Sequence, residues 1–263
     1  MIVPLVALVG ILVFALVKAW VSLSPQAVVV HLAGRADRRE NVETLVCEGQ
    51  RAGFDISVFD AVDGRRFNVR QVDPFLDFSL RRGGGVRNHL RGGEQGCLES
   101  FLIVMRGPAS SALLYLEDDA TVSGSSMGRF RHLVDQYRDM PYVFLGFRSH
   151  PRFQSPPPEG LEDWVQIRSP NYSNSCVAFT PEARRQFKRW VVGVPSVPAD
   201  DLLSIACGVH LGTRVEPMLS SWRGVAPGPL TAWAPRVPLS GRIASESDTE
   251  PASTSGPGGS LNF

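Results

Sequence analysis

The stretch Ala112-Leu-Leu-Tyr-Leu-Glu-Asp-Asp-Ala120 constrains the fold more than any other part of the chain. Leu113 to Leu116 is a short continuous apolar run that leads straight into three carboxylates, Glu117, Asp118 and Asp119. A run of this length ending in acid reads as a buried central strand. The acids then fall at its carboxyl end, the edge at which open α/β sheets bind ligands. Side chains alternate along an extended chain, so Glu117 and Asp119 point one way and Asp118 the other. Carboxylates on one side, with no Lys or Arg nearby to neutralise them, suit a divalent cation. Hard oxygen ligands select Mg²⁺ or Mn²⁺ over Zn²⁺, and such a cation can hold a diphosphate. The plain alternative is a solvated acidic turn after a strand.

The flanking sequence builds an α/β pattern around this strand. Ala27 to Leu32 is a β-branched run of strand length. Asp37 reads as a helix N-cap, with Glu40 completing a capping box and Gly53 ending the helix. Ile56 to Phe59 is a second strand, followed by the acidic turn Asp60-Ala-Val-Asp63-Gly64. Strand, helix and strand at this spacing form a βαβ unit that feeds a parallel sheet. Residues 64 to 93 are rich in Gly and Arg without periodicity, as expected of a functional connection whose arginines can clamp phosphate.

Glu94 to Arg106 and Ser125 to Asp139 carry apolar residues at helical spacing. Tyr142 to Phe147 and Cys176 to Phe179 are further buried strands, with a loop over 148–163. Thr180-Pro181 opens a helix that runs to Trp190, with Thr as N-cap and Pro at the first helical position. Asp200 and Asp201 open a short helix through Cys207, where acids are ordinary because the helix dipole favours them. Beyond Gly224 the chain becomes Pro-rich, and residues 240–263 read as a disordered tail.

A chain of 263 residues with 43 % hydrophobic residues can bury a full core. Its formal net charge of +1 gives no sign of a nucleic-acid partner. The histidines show no zinc spacing, and the four cysteines are far apart, read here as free thiols. Residues 1–23 are almost wholly apolar and reach the roughly 20 residues a bilayer span requires, with Trp20 suited to an interface. They read as a single-pass membrane anchor; the side of the membrane stays open. A sequon, Asn171-Tyr172-Ser173, matters only if the domain faces a lumen.

Five stretches in this order resemble the family 25 glycosyltransferases, the group of lipopolysaccharide and procollagen galactosyltransferases. They are Val30-His-Leu-Ala-Gly-Arg-Ala-Asp37-Arg-Arg39, Phe59-Asp60-Ala-Val-Asp63-Gly64, Gly93-Glu94-Gln-Gly-Cys-Leu-Glu-Ser100, Leu116-Glu-Asp-Asp119-Ala120 and Pro198-Ala-Asp200-Asp-Leu-Leu203. Phe101 stands where the family usually has His after the third motif, and His31 where the first usually has Asn.

The resemblance implies a GT-A-like, mostly parallel sheet flanked by helices over residues 26–225. It also implies a UDP-sugar donor, a divalent metal (Mn²⁺ or Mg²⁺) and a glycan, lipid-linked or protein acceptor. On that basis Glu117, Asp118 and Asp119 are expected at the metal. Asp200 or Asp201 is expected to serve as base or in the metal shell, and Asp37, Arg38, Arg39, Asp60, Asp63 and Glu94 to lie near the nucleotide. The alternatives are a non-catalytic binding module of the same fold and a metal-dependent phosphoester hydrolase.

Overall fold

A computed structural model describes residues 24–66, 90, 92–147, 159–168, 174–192, 194, 197–208 and 228–243. The strands are β1 (Gln26–His31), β2 (Asp55–Asp60), β3 (Leu113–Glu117), β4 (Ala120–Val122), β5 (Tyr142–Leu145), β6 (Trp164–Gln166), β7 (Cys176–Phe179), β8 (Thr231–Pro235) and β9 (Ser240–Arg242). The helices are α1 (Arg39–Arg51), α2 (Gly92–Arg106), α3 (Gly124–Gln136), α4 (Pro181–Trp190) and α5 (Ala199–Ala206), with 3₁₀ turns at Ala36–Arg38 and Gly64–Arg66. A seven-stranded sheet has the order β2-β1-β3-β7-β5-β8-β6, and β4 and β9 form a separate two-stranded ribbon. Strands β1, β2, β3, β5 and β8 run one way, while β7 and β6 run against their neighbours. The architecture is therefore mixed α/β, a mostly parallel sheet flanked by helices.

Alternation along the strands sorts their side chains onto two cores. Ala27, Val29, Leu114, Leu116, Phe144 and Ala178 face α1 and α3. Val30, Leu113, Tyr115, Val143, Val177 and Phe179 face α2, α4 and α5. The helix after β1 thus covers one face, and the helix that precedes β3 covers the other. The chain reverses its winding between β1 and β3, so their carboxyl ends flank a topological switch point, where open α/β sheets leave a crevice.

The third family-like motif holds this crossover together. A Cβ at Gly96 would sit 2.5 Å from the Val62 carbonyl oxygen, so only glycine lets α2 approach the turn after β2 this closely. One turn on, Ser100 Oγ accepts from Val62 N at 2.9 Å and donates to Gly96 O at 2.7 Å. Phe101 is fully buried and meets Tyr115 and Phe187 edge-on, with ring centroids 5.4 and 5.7 Å apart. It is a core residue, and its neighbours are aromatic.

Several expectations need correction. Asp37 does not cap α1: the N-cap position is Arg38, without a side-chain cap bond, and Asp37 lies in the preceding 3₁₀ turn. The sheet does not end at 225. Strand β8, with Ala232, Trp233 and Ala234 buried, lies between β5 and β6. Nor does a disordered tail begin at 240, because Ser240–Arg242 pairs with β4. Composition misleads there because a Ser-Gly-Arg strand is held by backbone pairing and needs nothing apolar. The expected membrane helix over 1–23, the sequon and most of the 64–93 connection lie outside the described residues. Among the described residues no helix is long and apolar enough to cross a membrane.

Candidate functional site

The three acids at the end of β3 separate into three environments. Glu117 is the last strand residue and pairs with Val30 of β1, on the face covered by α2 and α5. Burial is the main cause that raises its carboxyl to about 8, and the charges of Asp119 and Asp200 add to it. Asp200 belongs to the first turn of α5 and is partly buried, whereas its neighbour Asp201 is 6 % exposed. The charge of Asp200 is among those that raise the Glu117 carboxyl, so the first turn of α5 acts on the end of β3.

Asp118 turns to the opposite face. Its Oδ1 accepts from Arg38 Nη1, and its Oδ2 lies 2.9 Å from His31 Nδ1. A carboxylate can only accept, so Nδ1 carries the hydrogen. Arg38 and Asp118 are both buried, with 7 % and 6 % of their side chains exposed. Asn41 Nδ2 fixes the turn beneath by donating to the Asp118 and Ala120 carbonyls, each at 2.8 Å. The ladder continues through Asp118 N to Val30 O at 3.1 Å.

Asp119 meets Arg242. Nε donates to Asp119 Oδ2 at 2.9 Å, and Nη2 donates to the same oxygen. The Asp119 side chain is 4 % exposed and that of Arg242 is 46 % exposed. Burial works to lower the Arg242 guanidinium, but its hydrogen bond and charge interaction with Asp119 outweigh that and raise it. Asp119 Oδ1 is buried without a hydrogen-bond partner. Asn174, just before β7 and level with these acids, is 1 % exposed, with neither amide atom hydrogen-bonded.

The other expected residues disperse. Asp37 is exposed and gripped by Arg35 through Nε and Nη2, each at 2.9 Å; that hydrogen bond is the main cause that lowers its carboxyl to about 2. Arg39 is exposed on α1. Asp60 is exposed at the end of β2, in register with His31. Asp63 accepts from Arg65 N at 3.0 Å and Nε at 2.9 Å. Glu94 is partly buried in the first turn of α2. Sequence reasoning assigned no site role to His31, Asn41, Asn174 or Arg242. Arg242 carried no signal at all, since its partner is distant along the chain.

A divalent cation does not fit this donor set. Both Asp118 oxygens are engaged, Asp119 Oδ2 is taken by Arg242, and burial favours the protonated form of Glu117. Among the described residues no three His, Cys, Asp or Glu side chains are grouped to hold a metal ion. The premise that no arginine neutralises the acids is corrected: Arg38 and Arg242 both do, from positions remote in sequence. A cavity of about 420 Å³ lies elsewhere, lined by Leu98, Leu102, Met105, Phe187, Val191 and Leu202 among others, and none of Glu117, Asp118, Asp119, Asp200 and Asp201 borders it. The cysteines among the described residues are free thiols.

Comparison of the sequence with protein-family models and with curated proteins finds no match.

Proposed function

We propose that the chain is a glycosyltransferase that moves a hexose, glucose or galactose, from a UDP-sugar to a hydroxyl of a glycan, lipid-linked or protein acceptor. Its sheet is then of the GT-A type, and residues 1–23 anchor it to a membrane. What supports the proposal is that Glu117 ends β3 and Asp119 follows it, beside the switch point between β1 and β3, while Asp200, in the first turn of α5, acts electrostatically on Glu117. The five family-like motifs supply the reaction class.

In the proposed reaction the acceptor oxygen attacks the anomeric carbon and the bond from that carbon to the diphosphate oxygen breaks. Asp200, the more accessible of the α5 pair, takes the acceptor proton. Glu117, whose burial favours the protonated form, supplies a hydrogen-bond donor at the end of β3. Asp118 acts through its neighbours, holding Arg38 and His31 at the ends of β1 and β3. No step runs through a divalent cation.

The test is UDP release from UDP-glucose and UDP-galactose by the full chain in detergent, with and without an added hydroxyl acceptor, and by Asp200→Asn. The expected result is donor turnover that Asp200→Asn lowers by about 100-fold or more. Turnover of neither donor by the wild-type chain would sink the proposal.

A second reading is favoured by the pairing of Asp118 and Asp119 with arginines: a non-catalytic module of the same fold that binds nucleotide. UDP binding without sugar transfer distinguishes it.

A further inference from the structure

Backbone pairing delivers Arg242 to the strand end. Strand β9 runs antiparallel to β4 with Arg242 opposite Ala120, and Ile243 N donates to Asp119 O at 2.8 Å. The ribbon packs tightly on the sheet: a Cβ at Gly146 would lie 2.1 Å from Ser240 Oγ, so a glycine there lets β9 approach. Leu239 N donates to Gly146 O at 2.9 Å, anchoring the residue before the strand. The guanidinium is therefore set by two backbone attachments and by one buried carboxylate.

Its orientation leaves capacity. Nε and Nη2 both donate to the single oxygen Asp119 Oδ2, and almost half of the side chain is exposed. An arginine presents five N–H donors in a planar fork, so donors remain beyond the carboxylate. Asp119 itself is nearly inaccessible and serves as the internal counter-ion that fixes the fork. Glu117 and Asp200 also act on this guanidinium. Arginine is the side chain best matched to phosphate oxygens.

We infer that Arg242, seated on Asp119, is the cationic group that receives the donor diphosphate, in the role a divalent ion would otherwise fill. This rests on the transferase reading above. As the sugar–oxygen bond breaks, its electron pair goes to the diphosphate oxygen, and Arg242 meets the charge that develops there. The new bond forms between the acceptor oxygen and the anomeric carbon, and the acceptor proton passes to Asp200.

The experiment is titration calorimetry of UDP and of inorganic pyrophosphate into the full chain in detergent. It is run once with EDTA and once with Mn²⁺, for wild type, Arg242→Gln and Arg242→Lys. Wild type is expected to bind UDP in EDTA as tightly as in Mn²⁺. Arg242→Gln is expected to weaken UDP by about 10-fold or more, and Arg242→Lys by less, since the charge stays while the fork is lost. UDP binding that requires Mn²⁺, or Arg242→Gln binding UDP like wild type, overturns the inference while sparing the transferase reading. No UDP binding under either condition overturns both. Should Arg242→Gln not fold by circular dichroism, the wild-type comparison and Arg242→Lys still decide.

Discussion

Arg38 donates to Asp118 inside the protein, joining the start of α1 to the end of β3. The contact connects the first and fourth family-like motifs, which lie far apart along the chain. It also removes Asp118 from any ligand-binding role, since His31 takes its other oxygen.

This pair gives an expected stability effect. Arg38→Met leaves a buried carboxylate with only His31 beside it, and removing one partner of a buried ion pair costs about 3–5 kcal/mol. Adding Asp118→Asn to that variant removes the stranded charge and is expected to recover part of the loss. Urea denaturation of the two single variants and the double variant measures it. Additive losses would mean that the two side chains are not coupled.

Glu117 makes stability depend on pH. Its carboxyl is raised from 4.5 to about 8 in the folded chain, so the native state favours the protonated form. The associated stability is complete below the unfolded value and is lost as pH rises through the folded one. Glu117→Gln cannot ionise. Relative to this variant, wild type is expected to lose stability between about pH 5 and pH 8, by an amount on the order of a few kcal/mol. A difference between the two that stays flat across denaturation curves at pH 5, 6.5 and 8 would count against the desolvated carboxyl.

Two truncations isolate the contribution of the ribbon. Chains ending at Leu239 and at Ile243 differ only by residues 240–243, which hold β9 and Arg242. The shorter chain leaves Asp119 buried without its cation. Its melting temperature is expected to fall below that of the longer chain by on the order of 5–10 °C. Equal melting temperatures would show that β9 adds nothing to the fold.

The sequence alone determined the elements whose signals are local. Cys176–Phe179 was legible as a short apolar run, and α4 was legible from Thr180 and Pro181: Thr180 Oγ1 accepts from Ala183 N at 3.1 Å, as an N-cap does. The central strand and the acids at its end were legible for the same reason, as a hydrophobic run broken by charge. Tertiary structure alone decided what those acids face. Arg242 reaches Asp119 across 123 residues and Arg38 reaches Asp118 across 80, and β8 and β9 are seen as strands through their pairing with β5, β6 and β4. The physical reason is that periodicity and capping act within a few residues, whereas the protonation and pairing of a buried carboxylate depend on charges that the fold brings from distant parts of the chain.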